Sequence, residues 1–463
     1  MPSVLDVAAL DELAGTIQGQ LIRPDDDAYD EARAVWNGTI DRRPAVIARC
    51  TGVADVMAVV ALARSTQLPL AVRCGGHSAP GYGTCDDGIV LDISPMKGIR
   101  VDPERRTARA QGGVKWGELD RETQVSGLAT TGGIVSTTGT AGLTLGGGLG
   151  WLMRKHGLSC DNLISADVVT ADGRLITASA EEHPDLFWAL RGGGGNFGVV
   201  TSLEFRLHEV GPVVFAGLLI FTADRATEML RSIRDWAPNT PEELGLAVAL
   251  TTAPAAPFVP EELQGEAVVG LAVCFAGTTE EGERALAPMR ELGPVVDLLG
   301  PMPYTAVQSM FNDSYPHGTL SYWKSGFARA IDDQLIGSLV GSMATRPGPL
   351  AEIFLEFMEG APQRVGADET AFGSRTDPIN VLFLSNWDDP ADADAHIDWA
   401  RRGYEAIAPH TSGNVYLNYL GEEGDERIRA AYGNDHYARL ASVKATYDPD
   451  NLFHLNQNIP PQH

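Results

Sequence analysis

The chain has 463 residues, of which 44% are hydrophobic, and its 61 acidic residues against 35 basic residues give a net charge of −26. This length can bury more than one hydrophobic core, so two domains or one interrupted domain is expected. The acidic surface argues against nucleic acids and anionic membranes as partners, because both select a basic face.

Residues 1–19 carry acids where a signal peptide carries basic residues, and their apolar positions recur at helical spacing. No stretch of ~20 apolar residues follows that could span a membrane. The five cysteines form no CxxC pair. Together these features predict a reduced, cytoplasmic enzyme rather than a disulfide scaffold.

Short apolar runs and helix-patterned segments alternate in the next part of the chain, which indicates an α+β arrangement. Strands are predicted over 44–49, 68–72, 89–93 and 107–111, and helices over 52–65 and 114–127.

A glycine pair followed by histidine ends the second of these strands. Residues 73–79 read RCGGHSA, so two flexible glycines present backbone N–H groups beside the imidazole of His77. A nucleophilic ring at such a place suits a covalent bond to a bound ligand, although a histidine at a strand end can also be purely structural. Cys74 is either a reactive thiol or small buried filler.

A second glycine cluster covers residues 132–151, GGIVSTTGTAGLTLGGGLGW. Glycines and small hydroxyl residues let a backbone approach a diphosphate closely and offer it several N–H donors. The alternative is a flexible linker, but a linker has polar low-complexity flanks, whereas these flanks are apolar and patterned. The cluster therefore favours phosphate binding.

A third cluster, at 191–198, contains the GxGxxG spacing of a dinucleotide fingerprint from Gly193 to Gly198. That fingerprint must follow a strand and open a helix, whereas this one follows a helix predicted over 184–190 and opens a strand over 199–207. A Rossmann NAD site is therefore not expected. The sequence also lacks a phosphate-binding P-loop and zinc-ligand spacing, so no metal is expected.

From residue 211 onwards the glycines thin out and consecutive strands appear without an intervening helix, which predicts an antiparallel sheet covered by helices. Strands are predicted over 213–222, 244–251, 266–275, 353–357 and 381–386, with helices over 223–236, 279–292, 332–345 and 391–408.

The last part of the chain carries YLNY at 416–419 and VKATYDPDNLFHLNQNIP at 443–460. If the first segment is extended, Tyr416 and Asn418 share one face. The second segment is expected to be polar and rich in turns.

In this order and spacing, RCGGHS, the glycine-rich loop, the segment DLFWALRGGGGNFGVV and the two C-terminal pieces resemble the berberine-bridge-enzyme-like FAD-linked oxidases of the vanillyl-alcohol-oxidase superfamily. The resemblance covers nearly the whole chain. It implies a PCMH-type FAD-binding domain from residues 1–210, with its core over 40–209, an inserted α+β substrate domain at 211–409, and a return segment at 410–463 that completes the FAD domain.

The resemblance also implies FAD bound covalently through His77. The cofactor-binding residues it implies are Arg73, Cys74, Gly75, Gly76, Ser78, Ser136, Thr137, Gly139, Thr140, Gly142, Gly148, Gly150, Gly198, Val199, Val200, Tyr416, Asn418 and Asn456. Two positions depart from the family pattern. Val135 stands where doubly tethered members have a second flavin-bound cysteine, so one covalent bond is expected. Thr138 stands at the position that resembles the oxygen gate, which leaves open whether O₂ or another acceptor takes the electrons.

For catalysis the resemblance points to Tyr416 as the base or its hydrogen-bonding partner, with Asn418 and Asn456 holding the flavin ring. A free tyrosine has a pKa near 10 and needs a nearby cation to act at neutral pH. Lys324, beside Tyr322, is a candidate for that cation, and a structural aromatic wedge with a lysine is the alternative.

The leading expectation is an FAD-dependent oxidoreductase that oxidises a CH–OH group of a sugar or a hydroxylated natural product. Oxidation of a C–N bond in an amine or alkaloid is the second, and a non-catalytic flavin-binding relative is the third. The partners expected are a small-molecule substrate and O₂ or another electron acceptor.

Overall fold

The computed structural model describes residues 7–462, so the first six residues of the predicted N-terminal helical segment lie outside it. In chain order the strands are β1 (Gln20–Ile22), β2 (Val46–Arg49), β3 (Leu70–Arg73), β4 (Ile89–Asp92), β5 (Ile99–Asp102), β6 (Thr107–Gln111), β7 (Leu128–Ala129), β8 (Leu163–Val169), β9 (Leu175–Ser179), β10 (Val199–Arg206), β11 (His208–Glu209), β12 (Val213–Thr222), β13 (Leu244–Thr252), β14 (Ala267–Phe275), β15 (Val296–Asp297), β16 (Gly300–Pro303), β17 (Leu320–Ala328), β18 (Ala351–Phe357) and β19 (Ile379–Trp387).

The helices follow the amphipathic segments of the sequence. They are α1 (Val7–Thr16), α2 (Tyr29–Arg33), α3 (Val53–Thr66), α4 (Trp116–Thr123), α5 (Thr140–Leu145), α6 (Met153–His156), α7 (Pro184–Leu190), α8 (Ala226–Trp236), α9 (Thr279–Glu291), α10 (Tyr304–Ser309), α11 (Asp333–Ala344), α12 (Ala361–Arg364), α13 (Ala393–Ile407), α14 (Asp425–Tyr432) and α15 (Asn434–Tyr447). Within residues 7–462, no helix has the length and apolar character needed to cross a bilayer.

Two small sheets lie in the N-terminal part of the chain, together with a two-stranded antiparallel pair of β7 and β11. The first has the order β1-β2-β4-β3, with parallel pairing of β4 to both β2 and β3. The second is antiparallel with the order β5-β6-β10-β8-β9. Parallel strands buried on both faces are expected to be continuously apolar, and β4 is buried at every position.

One large antiparallel sheet contains the strands between residues 213 and 387, in the order β15-β12-β14-β13-β18-β19-β17, with β16 paired to β12. Alternate residues of its strands share a face. One face packs on α8, α9, α11 and α13 through Leu355, Phe383 and Trp399. The opposite face carries Phe354, Leu382 and Leu384 toward the N-terminal part of the chain. The antiparallel sheet covered by helices is thus confirmed.

Three local predictions differ from the structure. Residues 417–419 form a 3-10 turn instead of continuing an extended segment. The piece predicted to be rich in turns from residue 443 begins inside α15, and only its later part is irregular. Strand β17 was not predicted, because its mixed sequence LSYWKSGFA hides the alternation in burial.

Candidate active site

A cavity of about 330 Å³ lies between the two small sheets and the open face of the large sheet. Its wall draws on all the separated motifs: RCGGHS, the glycine-rich loop, the third glycine cluster and the C-terminal segments. Such a volume falls in the range of small-molecule and cofactor sites. The fold therefore brings motifs that are far apart in sequence to one place.

The RCGGHS motif begins at the end of β3. Arg73 is held in place by Asp92 on the neighbouring strand, with 2.7 Å between guanidinium nitrogen and carboxylate oxygen, and both side chains are buried. The imidazole of His77 lines the cavity and stacks on Trp36, with ring centroids 5.6 Å apart. Burial lowers the pKa of His77 to about 4, with smaller contributions from Lys115 and His317. The ring is therefore neutral near pH 7, as a nucleophile must be.

The glycine-rich loop packs directly against this motif. A Cβ on Gly75 would lie 2.5 Å from the Gly139 nitrogen, and a Cβ on Gly139 would lie 2.4 Å from the Cys74 sulfur. Only glycine allows so close an approach. Burial raises the pKa of the Cys74 thiol to about 11, which agrees with small buried filler rather than a reactive thiolate.

The predicted cofactor residues divide into two groups. The residues in the cavity wall are Arg73, Cys74, Gly75, Gly76, His77, Ser78, Gly139, Gly142, Gly198, Val200, Tyr416, Asn418 and Asn456. The residues behind the wall are Ser136, Thr137, Thr140, Gly148, Gly150 and Val199.

Residues of the second group make contacts within the protein. Ser136 is bonded to Asn312, whose Oδ1 accepts from the Ser136 N–H at 3.1 Å. The Thr140 hydroxyl donates to the carbonyl of Val114. These side chains support the loop behind the wall, and the role of these residues in cofactor binding stays a prediction.

Tyr416 and Asn418 meet although their segment is not a strand. The Asn418 amide donates to the Tyr416 hydroxyl at 2.8 Å, and the N–H groups of Gly148 and Leu149 also donate to it, at 3.0 and 3.3 Å. The Asn418 amide also donates to the Leu143 carbonyl at 3.0 Å. The pair therefore ties the C-terminal segment to the glycine-rich loop.

Tyr416 is poorly placed to act as a base. Burial raises the pKa of its phenol well above the usual range, and the nearby charge that contributes is the carboxylate of Glu356, which raises it further. The three donors lower the pKa but do not overcome burial. Among the described residues, the groups that contribute most to the pKa of Tyr416 include no cation.

The predicted cation, Lys324, lies elsewhere. It forms a short ion pair with Glu423 and sits 5.4 Å above the Tyr404 ring. Tyr322 contacts Arg401 of α13. In a strand, neighbouring side chains point to opposite faces, so Trp323 lines the cavity while Tyr322 and Lys324 pack on the helices. The predicted pairing of Lys324 with Tyr416 is wrong.

Asn456 provides a test of whether a flavin fits. Its side chain lines the cavity and its amide donates to the carbonyls of Gly195 and Phe453. Its Oδ1 is buried and has no hydrogen-bond partner within residues 7–462. A buried acceptor without a donor is costly. An N–H group of a ligand in the cavity would satisfy it, as the flavin ring can.

The comparisons with known proteins agree with this site. Residues 44–179 match the family model of the FAD-binding domain, and residues 415–460 match the model described as berberine and berberine like. The chain is 34% identical to (R)-6-hydroxynicotine oxidase of Paenarthrobacter nicotinovorans over 96% of its length and 98% of that protein. It belongs to the berberine-bridge-enzyme-like FAD-linked oxidoreductases.

Two further relatives support the same family. An uncharacterised FAD-linked oxidoreductase of Bacillus subtilis is 31% identical over 96% of this chain and 97% of its own. The crystal structure of 6-hydroxy-D-nicotine oxidase from Arthrobacter nicotinovorans superposes with a TM-score of 0.87 at 33% identity, covering 96% of this chain and 99% of that one. The PCMH-type α+β fold and the FAD-dependent oxidoreductase class are therefore confirmed, while the domain boundaries at 210 and 409 stay predictions.

The open face of the large sheet gives this FAD-linked oxidoreductase a group that was not predicted, the carboxyl of Glu356. It lines the cavity, accepts a hydrogen bond from the Asn380 amide at 2.8 Å and one from the Tyr419 hydroxyl at 3.3 Å. Burial raises its pKa to about 7. The signal in the sequence was the two glutamates, Glu352 and Glu356, inside the otherwise apolar strand AEIFLEF, where unpaired charges are unexpected.

Aromatic rings line the same end of the oxidoreductase cavity. Trp36 contacts Trp323 with centroids 5.6 Å apart, and Trp323 meets the edge of Tyr419 at 5.3 Å. Tyr419 in turn lies 4.8 Å from Tyr416. The remaining wall at this end is formed by Tyr315, Phe354, Leu382 and Leu384. This end therefore offers apolar ring surfaces around one carboxyl group.

Proposed function

We propose that this oxidoreductase oxidises a CH–OH group of an apolar, ring-containing small molecule, using FAD bonded to His77. The observation that carries the proposal is Glu356, a carboxyl group with a pKa of about 7 that faces the cavity among aromatic side chains. FAD, when bound, accepts the two electrons of the oxidation. The apolar wall favours a hydroxylated natural product over a sugar, because a sugar needs many hydrogen-bond partners.

Glu356, rather than Tyr416, is the proposed acceptor of the substrate hydroxyl proton. A base is most effective when its pKa lies near the working pH. The pKa of Glu356 satisfies this condition, whereas burial places the pKa of Tyr416 too high. Tyr419 and Asn380 hold the carboxyl in a fixed orientation. Tyr416 and Asn418 are proposed to fix the turn at Gly148 and Leu149.

His77 is the proposed point of covalent attachment. It lies in the cavity wall next to close-packed glycines and is neutral near pH 7. Val135 also lines the cavity and cannot form a thioether. Only one bond between chain and flavin is therefore proposed. Acid precipitation of the purified protein should leave the yellow colour in the pellet, and the mass of the chain should be raised by one FAD. A His77→Ala variant should release its FAD into the supernatant.

Oxidation of a C–N bond is the second candidate. A carboxylate surrounded by aromatic rings also suits an ammonium group, through ion pairing and cation–π contact. The similar (R)-6-hydroxynicotine oxidase supports this candidate by its name. Thr138 lines the cavity, so its side chain is proposed to influence whether O₂ or another acceptor reoxidises the flavin.

In the experiment, the holoenzyme is mixed without oxygen with panels of ring-containing alcohols and amines. The rate at which the yellow flavin absorbance is lost is measured for each compound. We expect alcohols to bleach the flavin at a rate that rises with pH and levels off above about 7, because Glu356 must be deprotonated. Glu356→Gln should reduce the rate about 100-fold and remove this pH dependence.

Glu352→Gln is the matched control. Glu352 lies on the same strand, four residues earlier, and is bonded to Tyr315 and Thr251 without lining the cavity. Its rate should stay within about threefold of the unmodified enzyme. Equal rates in Glu356→Gln and the unmodified enzyme would exclude Glu356 as the base. Bleaching by amines alone would select the second candidate.

A further inference from the structure

The imidazole of His77 is held from two directions. Trp36 stacks on its face with an interplanar angle of 17°. The Thr137 hydroxyl lies 3.1 Å from its Nε2 atom. Among the described residues, Nδ1 of the same ring has no hydrogen-bond partner. The two nitrogens of one ring therefore have different surroundings.

The position of Thr137 is set by its neighbours in the loop. On one side Ser136 is bonded through its N–H and its hydroxyl to Asn312. On the other side Gly139 packs against Gly75. His77 lines the cavity, whereas Thr137 does not. The contact with Thr137 thus directs Nε2 toward the protein behind the wall and leaves Nδ1 as the nitrogen available to the cavity.

Hydrogen-bond chemistry gives this arrangement a consequence for reactivity. A neutral imidazole carries its proton on one nitrogen and a lone pair on the other. If Nε2 donates its N–H to the Thr137 oxygen, the lone pair resides on Nδ1. Burial keeps the ring neutral, with added repulsion from Lys115 and His317, the charged groups that act on it.

We propose that Thr137 is a positioning residue for flavin attachment, which selects Nδ1 of His77 as the atom that bonds to FAD. This inference rests on the proposed covalent bond. The bond forms between Nδ1 and the 8α-carbon as one C–H bond of that methyl group breaks. The Nδ1 lone pair forms the new bond, the electron pair of the broken C–H bond reduces the flavin ring, and the ring takes up two protons to balance the methyl proton and the Nε2 proton that are released. O₂ then reoxidises the ring with release of hydrogen peroxide.

The first test follows attachment itself, independently of substrate oxidation. Full-length chains are produced under riboflavin limitation and mixed with FAD and O₂, and the gain in intact mass is followed over time. Thr137→Val, which keeps the shape but removes the hydroxyl, should attach FAD about tenfold more slowly, since one hydrogen bond and one tautomer preference are lost. Thr137→Ser should restore the rate.

Thr130→Val is the matched control. Thr130 is a buried threonine outside the glycine-rich loop, its hydroxyl has no hydrogen-bond partner among the described residues, and it does not line the cavity. It should attach FAD at the unmodified rate. Melting temperatures of the FAD-free chains establish whether each variant is folded, so a slow variant that melts like the unmodified chain supports the positioning role.

The second test identifies the bonded nitrogen. The histidyl-flavin is released by proteolysis, and two-dimensional NMR of the imidazole distinguishes the two isomers. The unmodified chain should give the Nδ1 isomer alone, and Thr137→Val a mixture. An Nε2 bond in the unmodified chain, or an unchanged rate and isomer in Thr137→Val, would overturn the inference while leaving the tether intact. A chain that oxidises substrate with dissociable FAD would overturn the tether itself.

Discussion

The two sides of the cavity differ in what they present to a ligand, because one offers backbone from glycine-rich segments and the other offers side chains. On the cofactor side, glycine-rich segments bring backbone into the wall, as at the contact between Gly75 and Gly139. On the substrate side it is mainly side chains on three adjacent strands, represented by Trp323, Glu356 and Leu384. A ligand common to a family can be bound through the backbone, whereas a particular substrate needs particular side chains.

The contrast also explains where substitutions are tolerated. A backbone wall fails when a side chain is added at a close contact such as that of Gly75 with Gly139, because the loops already touch there. A side-chain wall changes its preference when one residue is exchanged, because the sheet beneath is held by its own hydrogen bonds and by the helices on its other face. The following predictions test this contrast, beginning with the largest effect.

A methyl group added in the glycine-rich loop should abolish FAD binding. A methyl group added in α11, which packs on the large sheet, should do no harm. In Gly139→Ala the new Cβ would lie 2.4 Å from the Cys74 sulfur and 2.7 Å from the Gly75 nitrogen, so the loops must separate and FAD should no longer bind. Gly337→Ala in α11 meets no atom within 4 Å. It should stabilise the protein by up to about 1 kcal/mol, because alanine favours helices. Flavin content and urea unfolding measure both effects, and normal FAD content in Gly139→Ala would refute the close-packing argument.

The junction between the two sides contains a buried acid, Asp120, whose carboxylate accepts from Gln308 at 2.8 Å. In the described part of the chain, the other oxygen of Asp120 and the Tyr304 hydroxyl have no hydrogen-bond partner, and burial raises the pKa of Asp120 to about 7. The folded state therefore binds more protons than the unfolded state between pH 3.8 and about 7, so stability should fall as pH rises through that range.

Asp120→Asn should flatten the dependence of the free energy of unfolding on pH. Relative to the unmodified protein, the variant should gain at most about 4 kcal/mol of stability between pH 4 and pH 8. The measurement is urea unfolding of both holoenzymes at the two pH values. If the two proteins show the same pH dependence, Asp120 does not titrate in this range, and the junction would be insensitive to pH.

Exchanges at neighbouring positions of β17 should give the smallest but most selective effects. Trp323→Leu removes a cavity wall and should raise KM about tenfold, consistent with the loss of a large aromatic surface. Lys324→Gln removes the ion pair with Glu423 on the other face and should lower the melting temperature while the rate of flavin reduction changes less than about twofold. A large fall in that rate would restore Lys324 as a participant in catalysis.

The cofactor side could be predicted from the sequence because its signals are contiguous. RCGGHS and the loop at 132–151 are each one run of residues, and both lie in the cavity wall. Strands β6 and β12 and helix α7 also have the predicted bounds. Strand β12 is a nearly continuous apolar run, β6 alternates between half-buried and buried positions, and α7 begins at a proline.

The substrate side could not be predicted in this way. Trp323 and Glu356 become neighbours only through the pairing of β17 and β18 with β19, which no local pattern specifies. Lys324 appeared to be a candidate because it stands near aromatic residues in the sequence. The alternation of side chains along β17 places it on the opposite face, and strand direction decides its role.

The return of the C-terminal segment to the cofactor loops has a consequence for how the protein is made. Lys444 donates to the carbonyl of Asn196, and the Asn196 amide donates to the carbonyl of Gln457, across separations of 248 and 261 residues. Contacts of this span form late, because a long loop must close first. The cavity wall is incomplete until the ribosome has released Tyr416 and Asn456. The large sheet has then already been synthesised, so flavin can be captured in its final position only after translation has passed Asn456.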